Sequence, residues 1–186
     1  AGNEKLGKSF IKISQEFTYK PKLEYSALIE IARLRERMEK EIAKEIKKGE
    51  NVKLGYGGLA DIEFTVQILQ LMHGYKSFQF KQTNTLEALR AFAVLGVLDH
   101  STSENLKKHY IFLRNLECAL RIRNQNESSY LPKKTESQSS LAKLLGYKEI
   151  EGKSLSNQLL EDYRETTSKV RDFYNKNLDS LLRTSL

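Results

Sequence analysis

The sequence contains one cysteine, two prolines and no tryptophan among its 186 residues. A single cysteine, Cys118, excludes an intrachain disulfide and is typical of proteins in a reducing compartment. No apolar stretch is long enough to span a membrane, and the N-terminal residues lack the pattern of a signal peptide. Together these absences predict a cytoplasmic protein with no membrane partner.

Glycine and proline are scarce, and no alternating run bounded by turn residues indicates a strand. The abundant residues, Leu, Glu, Lys, Ala, Ile and Arg, favour helix as a set. With 39% hydrophobic and 30% charged residues, the composition is that of a globular domain with one core. The formal net charge of +7 suits nucleic acid, a nucleotide or an acidic protein as partner, but it requires none of them.

Apolar residues recur at helical spacing along most of the chain. The pattern predicts helices over residues 6–19, 23–48, 59–73, 85–95, 103–124, 141–145 and 155–182, with a mobile surface loop near 124–140. Asn84 and Ser101 are predicted N-caps, because a glutamate follows each of them three residues later. Cys118 falls within a helical apolar pattern and is expected in the core. Long helices joined by short loops predict an all-α, up-and-down helical bundle with a small C-terminal helical extension.

A glycine-rich segment, Lys-Leu-Gly-Tyr-Gly-Gly at residues 53–58, leads directly into a strongly apolar helix. A helix N-terminus offers unpaired N–H groups, glycine lets the backbone approach a ligand, and Lys53 adds positive charge, so the segment could hold an anion. Alternatively, Gly57 and Gly58 only make a tight entry into a buried helix. The segment is neither a P-loop nor a dinucleotide fingerprint, and the pattern leaves both interpretations open.

Two carboxylates follow the glycines. Asp61 and Glu63 point in different directions on a helix, whereas Glu63 and Gln67 share a face. A carboxylate on an apolar helix needs a partner, so Glu63 either pairs with an internal arginine or faces a partner surface. Arg35 is the arginine predicted to approach a phosphate or Glu63. The alternative for its helix is a lattice of surface ion pairs.

The motif Lys-x-Gly-x-Gly-Gly-x-x-Asp-Ile-Glu-Phe-x-x-Gln at residues 53–67 resembles the signature of the helical domain of glutamate–ammonia-ligase (glutamine synthetase) adenylyltransferases. Further segments agree in order with that family and extend the resemblance over nearly the whole chain; they lie at residues 1–7, 31–39, 69–74, 84–89, 113–117 and 141–147. The fold implied is that of a nucleotidyltransferase substrate-binding domain. The pair Ala60-Asp61 favours the C-terminal, adenylylating half of the parent enzyme over the removing half.

The resemblance implies that residues 1–20 connect to a nucleotidyltransferase domain and that residues 21–186 form the bundle. It also implies that Lys53, Gly57, Gly58, Asp61 and Glu63 face the cleft of that domain. Gln67 and Arg35 are assigned to the same nucleotide-facing or partner-facing surface. The parent enzyme would use ATP and Mg²⁺, modify glutamine synthetase in nitrogen regulation, and respond to the PII signalling protein.

This sequence lacks the Gly-Ser and Asp-x-Asp pattern with which the resembled family holds its metal. It therefore predicts a domain that is inactive alone, without catalytic residues and without a bound cofactor. No second histidine stands at metal-ligand spacing, so no metal site is predicted. Two alternatives remain, a basic helical nucleic-acid-binding module and a protein-interaction module; nucleic acid is disfavoured because the basic residues are interspersed with carboxylates.

Overall fold

The computed structural model of the chain describes residues 2–21, 23–44, 49–124 and 129–184. Seven α-helices lie in these ranges: α1 (Glu4–Thr18), α2 (Tyr25–Ala43), α3 (Leu59–His73), α4 (Thr85–Val94), α5 (His100–Asn124), α6 (Thr135–Leu144) and α7 (Leu155–Thr184). A short 3-10 helix, Phe78–Phe80, precedes α4. The described residues pair in β fashion only at isolated bridges, so the predicted all-α helical bundle is confirmed.

Helix α3 lies at the centre of the bundle, in contact with α2, α4, α5 and α7. Its apolar residues enter one continuous core to which α4–α7 also contribute; the members include Leu59, Ile62, Val66, Leu89, Phe92, Leu113, Leu116, Leu120, Leu141, Leu159, Tyr163 and Val170. The predicted C-terminal helical extension is α6 and α7. These two helices share the core of the bundle and do not have one of their own.

Two helix starts differ from those predicted. Helix α5 begins at His100, because Asp99 rather than Ser101 caps it: the Asp99 carboxylate accepts from the Thr102 backbone N–H at 2.8 Å. Helix α6 begins at Thr135, six residues before the predicted start, because its first six residues are all polar and carry no apolar signal. The Asn84 cap of α4 is confirmed, since its side chain accepts from the backbone of Leu86 and Glu87.

Parts of two predicted segments, residues 45–48 of the second helix and residues 125–128 of the loop, lie outside the described residues. The described part of that loop is tied to the segment before the glycines. The Val52 N–H donates to the Ser129 carbonyl at 2.8 Å, and the Leu131 N–H donates to the Glu50 carbonyl at 2.9 Å. The mobility of the loop stays a prediction.

Helices α1 and α2 pack much less against the body than the others do. Helix α1 has no buried residue, and α2 buries only Leu28 and Arg35. The core prediction for Cys118 is wrong, because its side chain lies on the exposed side of α5. Among the described helices, none combines the length and the apolar character needed to cross a membrane.

Candidate functional site

The glycine loop, residues 53–58, is docked on α7. Gly57 has a φ of +61°, and a Cβ added there would lie 1.8 Å from the Thr167 carbonyl oxygen. A Cβ on Gly58 would lie 2.6 Å from the Val52 carbonyl oxygen. Only glycine fits such a close approach between backbones, and both residues are buried. The tight-entry interpretation therefore accounts for both glycines.

The N–H groups that were predicted to hold an anion already have acceptors within the chain. At the start of α3, the Leu59 N–H donates to the Val52 carbonyl at 3.1 Å, and the Ala60 N–H donates to the Lys53 carbonyl at 2.9 Å. The Gly57 N–H donates to the Asp61 carboxylate at 3.0 Å. In this conformation the beginning of α3 offers these donors to its own chain and not to a ligand.

Asp61 is fully buried at the centre of an ionic cluster that joins α2, α3 and α7, here named the Asp61 cluster: Arg35, Glu39, Asp61 and Arg171. Arg35 Nε donates to Asp61 Oδ1 at 2.6 Å, and Arg171 Nε lies 3.0 Å from Asp61 Oδ2. Glu39 pairs with both arginines, and its carboxylate lies 3.4 Å from Arg35 Nη1. Two guanidinium groups and two carboxylates leave the cluster with no formal net charge.

Arg35 also fixes the glycine loop to α2. Its Nη2 donates to the Gly55 carbonyl at 2.9 Å, and its side chain is only 1% exposed. The predicted contact between Arg35 and Glu63 is corrected: the partner is Asp61, since two residues on one helix that lie two positions apart face different neighbours. Burial raises the pKa of the Asp61 carboxyl, and the charges of Arg35 and Arg171 act against that rise.

Glu63 pairs with an arginine inside the domain, Arg114 of α5, and still reaches solvent. Arg114 Nη2 lies 2.5 Å from Glu63 Oε1, with the Glu63 side chain 25% exposed and that of Arg114 38% exposed. The Tyr110 hydroxyl donates to the same carboxylate at 3.3 Å and accepts from Arg114 Nε at 3.0 Å. Glu63 therefore has the internal arginine partner that one alternative predicted, and contact of its exposed edge with a partner surface stays a prediction.

The pairs of Glu117 with Arg114 and Arg121 form as the spacing indicates, at 2.7 and 2.9 Å. Glu117 is only 2% exposed, however, so these are not surface pairs. Burial acts to lower the pKa of Arg114, but the hydrogen bonds that Arg114 donates to Tyr110 and Glu117 raise it on balance, so the guanidinium stays charged.

The predicted site residues thus separate into two groups. Arg35, Gly57, Gly58 and Asp61 are buried and bonded within the bundle, and their expected position at the cleft of a catalytic domain stays a prediction. Lys53 is half-buried and Gln67 is exposed, and neither side chain forms a hydrogen bond or ion pair with the described residues. Glu63, Gln67, Tyr110 and Arg114, here named the polar face, present exposed or half-exposed polar groups along α3 and α5.

Two cavities flank the Asp61 cluster. One, of about 720 Å³, is lined by Gly55 and Tyr56 of the glycine loop and by residues of α7. The other, of about 550 Å³, lies between α2 and α7 with Arg35 and Arg171 in its wall. The Tyr56 ring covers the Arg171 guanidinium at 4.6 Å from the ring centroid. The glycine loop therefore borders a pocket through Gly55 and Tyr56, and not through Gly57 or Gly58.

Sequence reasoning did not identify Arg171 or Arg114 as members of the site. In the sequence Arg171 lies between Val170 and Tyr174, which are both buried. A basic residue between two inward-facing positions of a helix is a sequence signal that could have identified Arg171 as a buried, paired charge. For Arg114 no comparable signal exists, because its partner Glu63 lies 51 residues away.

Neither Asp61 nor Glu63 fits a Mg²⁺ site. A hard cation needs free carboxylate oxygens, whereas arginines occupy those of Asp61 and one of those of Glu63. In the part of the chain that the structure describes, no three His, Cys, Asp or Glu side chains form a group that could hold a metal ion.

The geometry defines an all-α domain in which a glycine loop and a buried ionic cluster hold the central helix in place. A sequence profile of the family described as GlnD PII-uridylyltransferase matches residues 29–178, and the chain belongs to that family. The chain is also similar to proteins named bifunctional glutamine synthetase adenylyltransferase/adenylyl-removing enzyme, which confirms the resemblance found in its sequence.

The enzyme of that name from Hahella chejuensis is 30% identical over 169 residues, which cover 91% of this chain and 17% of the relative. That from Streptomyces avermitilis is 32% identical, with 92% of this chain and 17% of the relative covered. That from Bartonella quintana is 32% identical, with coverages of 80% and 16%. The chain therefore spans about a sixth of the length of these relatives.

Proposed function

We propose that these 186 residues form the helical accessory domain of a bifunctional glutamine synthetase adenylyltransferase/adenylyl-removing enzyme. The domain lies beside a nucleotidyltransferase domain of the same polypeptide and helps to bind nucleotide or glutamine synthetase there. The observation that carries the proposal is the match over 91% of this chain to relatives about six times as long. In the parent enzyme, the catalytic domain binds ATP and Mg²⁺. Glutamine synthetase and the PII protein are partners of the enzyme, which acts in the cytoplasm.

Within this proposal the two groups of site residues have different roles. The Asp61 cluster and the glycines fix α3 between α2 and α7, which sets the direction of its other faces. Lys53 and the polar face, which includes Glu63 and Gln67 of the 53–67 segment, reach solvent and contact the catalytic domain or the bound substrate. Lys53 supplies positive charge near phosphate, and Gln67 supplies both a hydrogen-bond donor and an acceptor.

The chemical step is assigned to the other domain. In this chain the carboxylates of the signature are neutralised by arginines, so no free carboxylate pair is available to bind metal or to act as a base. The domain acts by positioning, and alone it is inactive. Positioning of a reactant accounts for a large part of the rate of phosphoryl and nucleotidyl transfer, so its loss should be measurable.

The test measures transfer of labelled AMP to glutamine synthetase by the full-length enzyme with Lys53→Ala and with Gln67→Ala. Neither side chain bonds to the described residues, so thermal unfolding should not change. We expect each variant to lose roughly tenfold or more in transfer rate, equivalent to one hydrogen bond to a charged group. Lys143→Ala and Asn115→Ala, on exposed positions of α6 and α5, are matched controls. Transfer within about twofold of the native rate in both site variants would reject the assigned roles.

A nucleic-acid-binding role has less support, because several surface lysines already pair with carboxylates along their own helices. Lys8 pairs with Glu4, and Lys40 pairs with Glu36. A free basic surface that binds nucleic acid releases the counterions condensed on its phosphates, so binding that weakens steeply with salt would favour that role. A pure interaction module would leave residues 53–67 unoccupied when the catalytic domain and ATP are supplied.

A further inference from the structure

Helix α1 carries a continuous apolar stripe that the described chain leaves mostly exposed. The stripe consists of Leu6, Phe10, Ile13 and Phe17, whose exposed fractions are 71%, 69%, 65% and 75%. Their spacing of four, three and four residues is that of the a and d positions of a heptad, so all four side chains lie on one side of the helix. Gly7 and Ser14 flank the stripe and leave room for a neighbouring backbone.

The C-terminal end of α1 is anchored to the body of the domain, while the stripe stays free. The Tyr19 ring lies against Gly74 at the end of α3: a Cβ on Gly74 would be 2.2 Å from Tyr19 Cδ1. Lys81 also places its ammonium 5.1 Å from the centroid of the same ring. The position of α1 relative to the bundle is therefore set at Tyr19, and the four stripe residues project away from the bundle core.

An uncovered stripe is unstable by itself. Isolated helices of about 12–15 residues are marginal in water, and α1, at 15 residues, buries none of its side chains. Four large apolar side chains in a row also form a patch of the size that often marks an interaction site on a soluble protein. The stripe needs an occupant, and its heptad spacing fits a helix or a helix-wide groove.

A second copy of this chain is a poor occupant on grounds of area. A buried aromatic side chain hides roughly 150–250 Å², and the stripe is already about one third covered, so it can contribute roughly 400–600 Å² per chain. A homodimer through the stripe alone would then bury about 800–1,200 Å², at or below the lower limit of specific interfaces. The area limit does not apply to a partner within the same polypeptide, because the linker supplies an effective concentration of about millimolar.

We infer that the α1 stripe docks into an apolar groove or against a helix in the remainder of the parent polypeptide, outside these 186 residues. The inference rests on the proposed function, since it requires a parent longer than this chain. Tyr19 then serves as the pivot that places the docked segment beside the end of α3. The interface orients the bundle relative to the rest of the enzyme.

The test compares amide hydrogen exchange of residues 4–18 in the 186-residue chain and in the full-length enzyme. We expect exchange to slow by about tenfold or more in the full-length enzyme, and Phe10→Ser with Phe17→Ser to return it to within about twofold of the rate in the isolated chain. Ile11→Ser is the matched control, because this residue is 55% exposed on the same helix but outside the stripe.

The outcomes separate the two proposals. Fast exchange of α1 in a full-length enzyme that needs this domain for AMP transfer overturns the docking and leaves the proposed function standing. Slow exchange in the isolated chain that depends on protein concentration, with a dimer by sedimentation, means that a second copy is the occupant and also overturns it. A full-length enzyme whose transfer does not need this domain rejects the proposed function, whatever α1 does.

Discussion

Replacing Arg35 with methionine removes the group that holds α2, α3 and the glycine loop together. The guanidinium bonds to Asp61, to the Gly55 carbonyl and, at longer range, to Glu39. Methionine fills much of the same volume but carries no charge. The Asp61 cluster then has one guanidinium for two carboxylates, and Asp61, at 0% exposed, loses its shortest contact.

The size of the loss follows from burial. Removing one partner of a buried ion pair typically costs about 3–5 kcal/mol, because the remaining charge has no solvent to stabilise it. Asp61 can limit the loss by taking up a proton. From its ordinary pKa of 3.8, protonation at pH 7 costs at most about 4 kcal/mol, at about 1.4 kcal/mol per pH unit. We therefore expect Arg35→Met to lose about 3–4 kcal/mol at pH 7.

The loss should depend on pH in a definite direction. Burial already raises the pKa of Asp61, and without Arg35 it rises further. A carboxyl whose pKa in the folded state lies above that in the unfolded state stabilises the fold at low pH, and this stability is lost as the pH rises through the folded-state pKa. The difference between variant and native protein should therefore shrink from pH 7 to pH 5, by up to about 1.4 kcal/mol per pH unit.

Urea unfolding followed by circular dichroism at pH 5 and pH 7 measures both effects. Arg33→Met is the matched control on the same helix, since Arg33 pairs with Glu30 at an exposed position and should contribute less than about 0.5 kcal/mol. A loss below about 1 kcal/mol for Arg35→Met at pH 7, or an equal loss at both pH values, would refute the view that Arg35 neutralises a buried Asp61.

Three further outcomes test the fold. Gly57→Ala should destabilise by several kcal/mol in urea, because its Cβ would meet the Thr167 carbonyl, whereas Gly146→Ala, which has a positive φ but open space, should lose only about 1 kcal/mol. Asn84→Ala should lower the free energy of unfolding by about 1 kcal/mol through loss of the α4 cap, and an unchanged melting temperature would contradict that role. Cys118 should react with a thiol reagent in the folded protein without denaturant, and protection from the reagent would show that it is covered.

Most helices could be predicted because their signals are local. Helix α3 is apolar on most sides and follows a glycine cluster, and its observed start at Leu59 agrees with that pattern. The Asn84 cap also depends only on neighbouring residues. At the start of α5 the local signals are ambiguous, because Asp99 and Ser101 are both good N-cap residues. Only the path of the backbone decides which of the two caps the helix.

The pairings at the site could not be predicted, because their partners are distant in sequence. Arg171 lies 110 residues from Asp61, and helical spacing rules detect only partners three or four residues apart. Cys118 shows a related weakness. Helix α5 has apolar residues on more than one side, so periodicity did not identify the side that faces the core. Ile111, two helical turns before Cys118, and Ile122, one turn after it, are exposed as well.

The 53–67 segment combines two tasks that the sequence alone does not separate. Its glycines permit a backbone approach to α7, and Asp61 neutralises two arginines from other helices, so these residues are explained by folding alone. A position that folding explains gives no independent support for binding a ligand. Glu63, two residues further on, faces α5 and keeps an exposed edge, while Lys53 and Gln67 contribute no side-chain bond to the described bundle. Function in this segment should therefore be sought at those three positions, where a substitution changes what the surface offers before it changes how the chain folds.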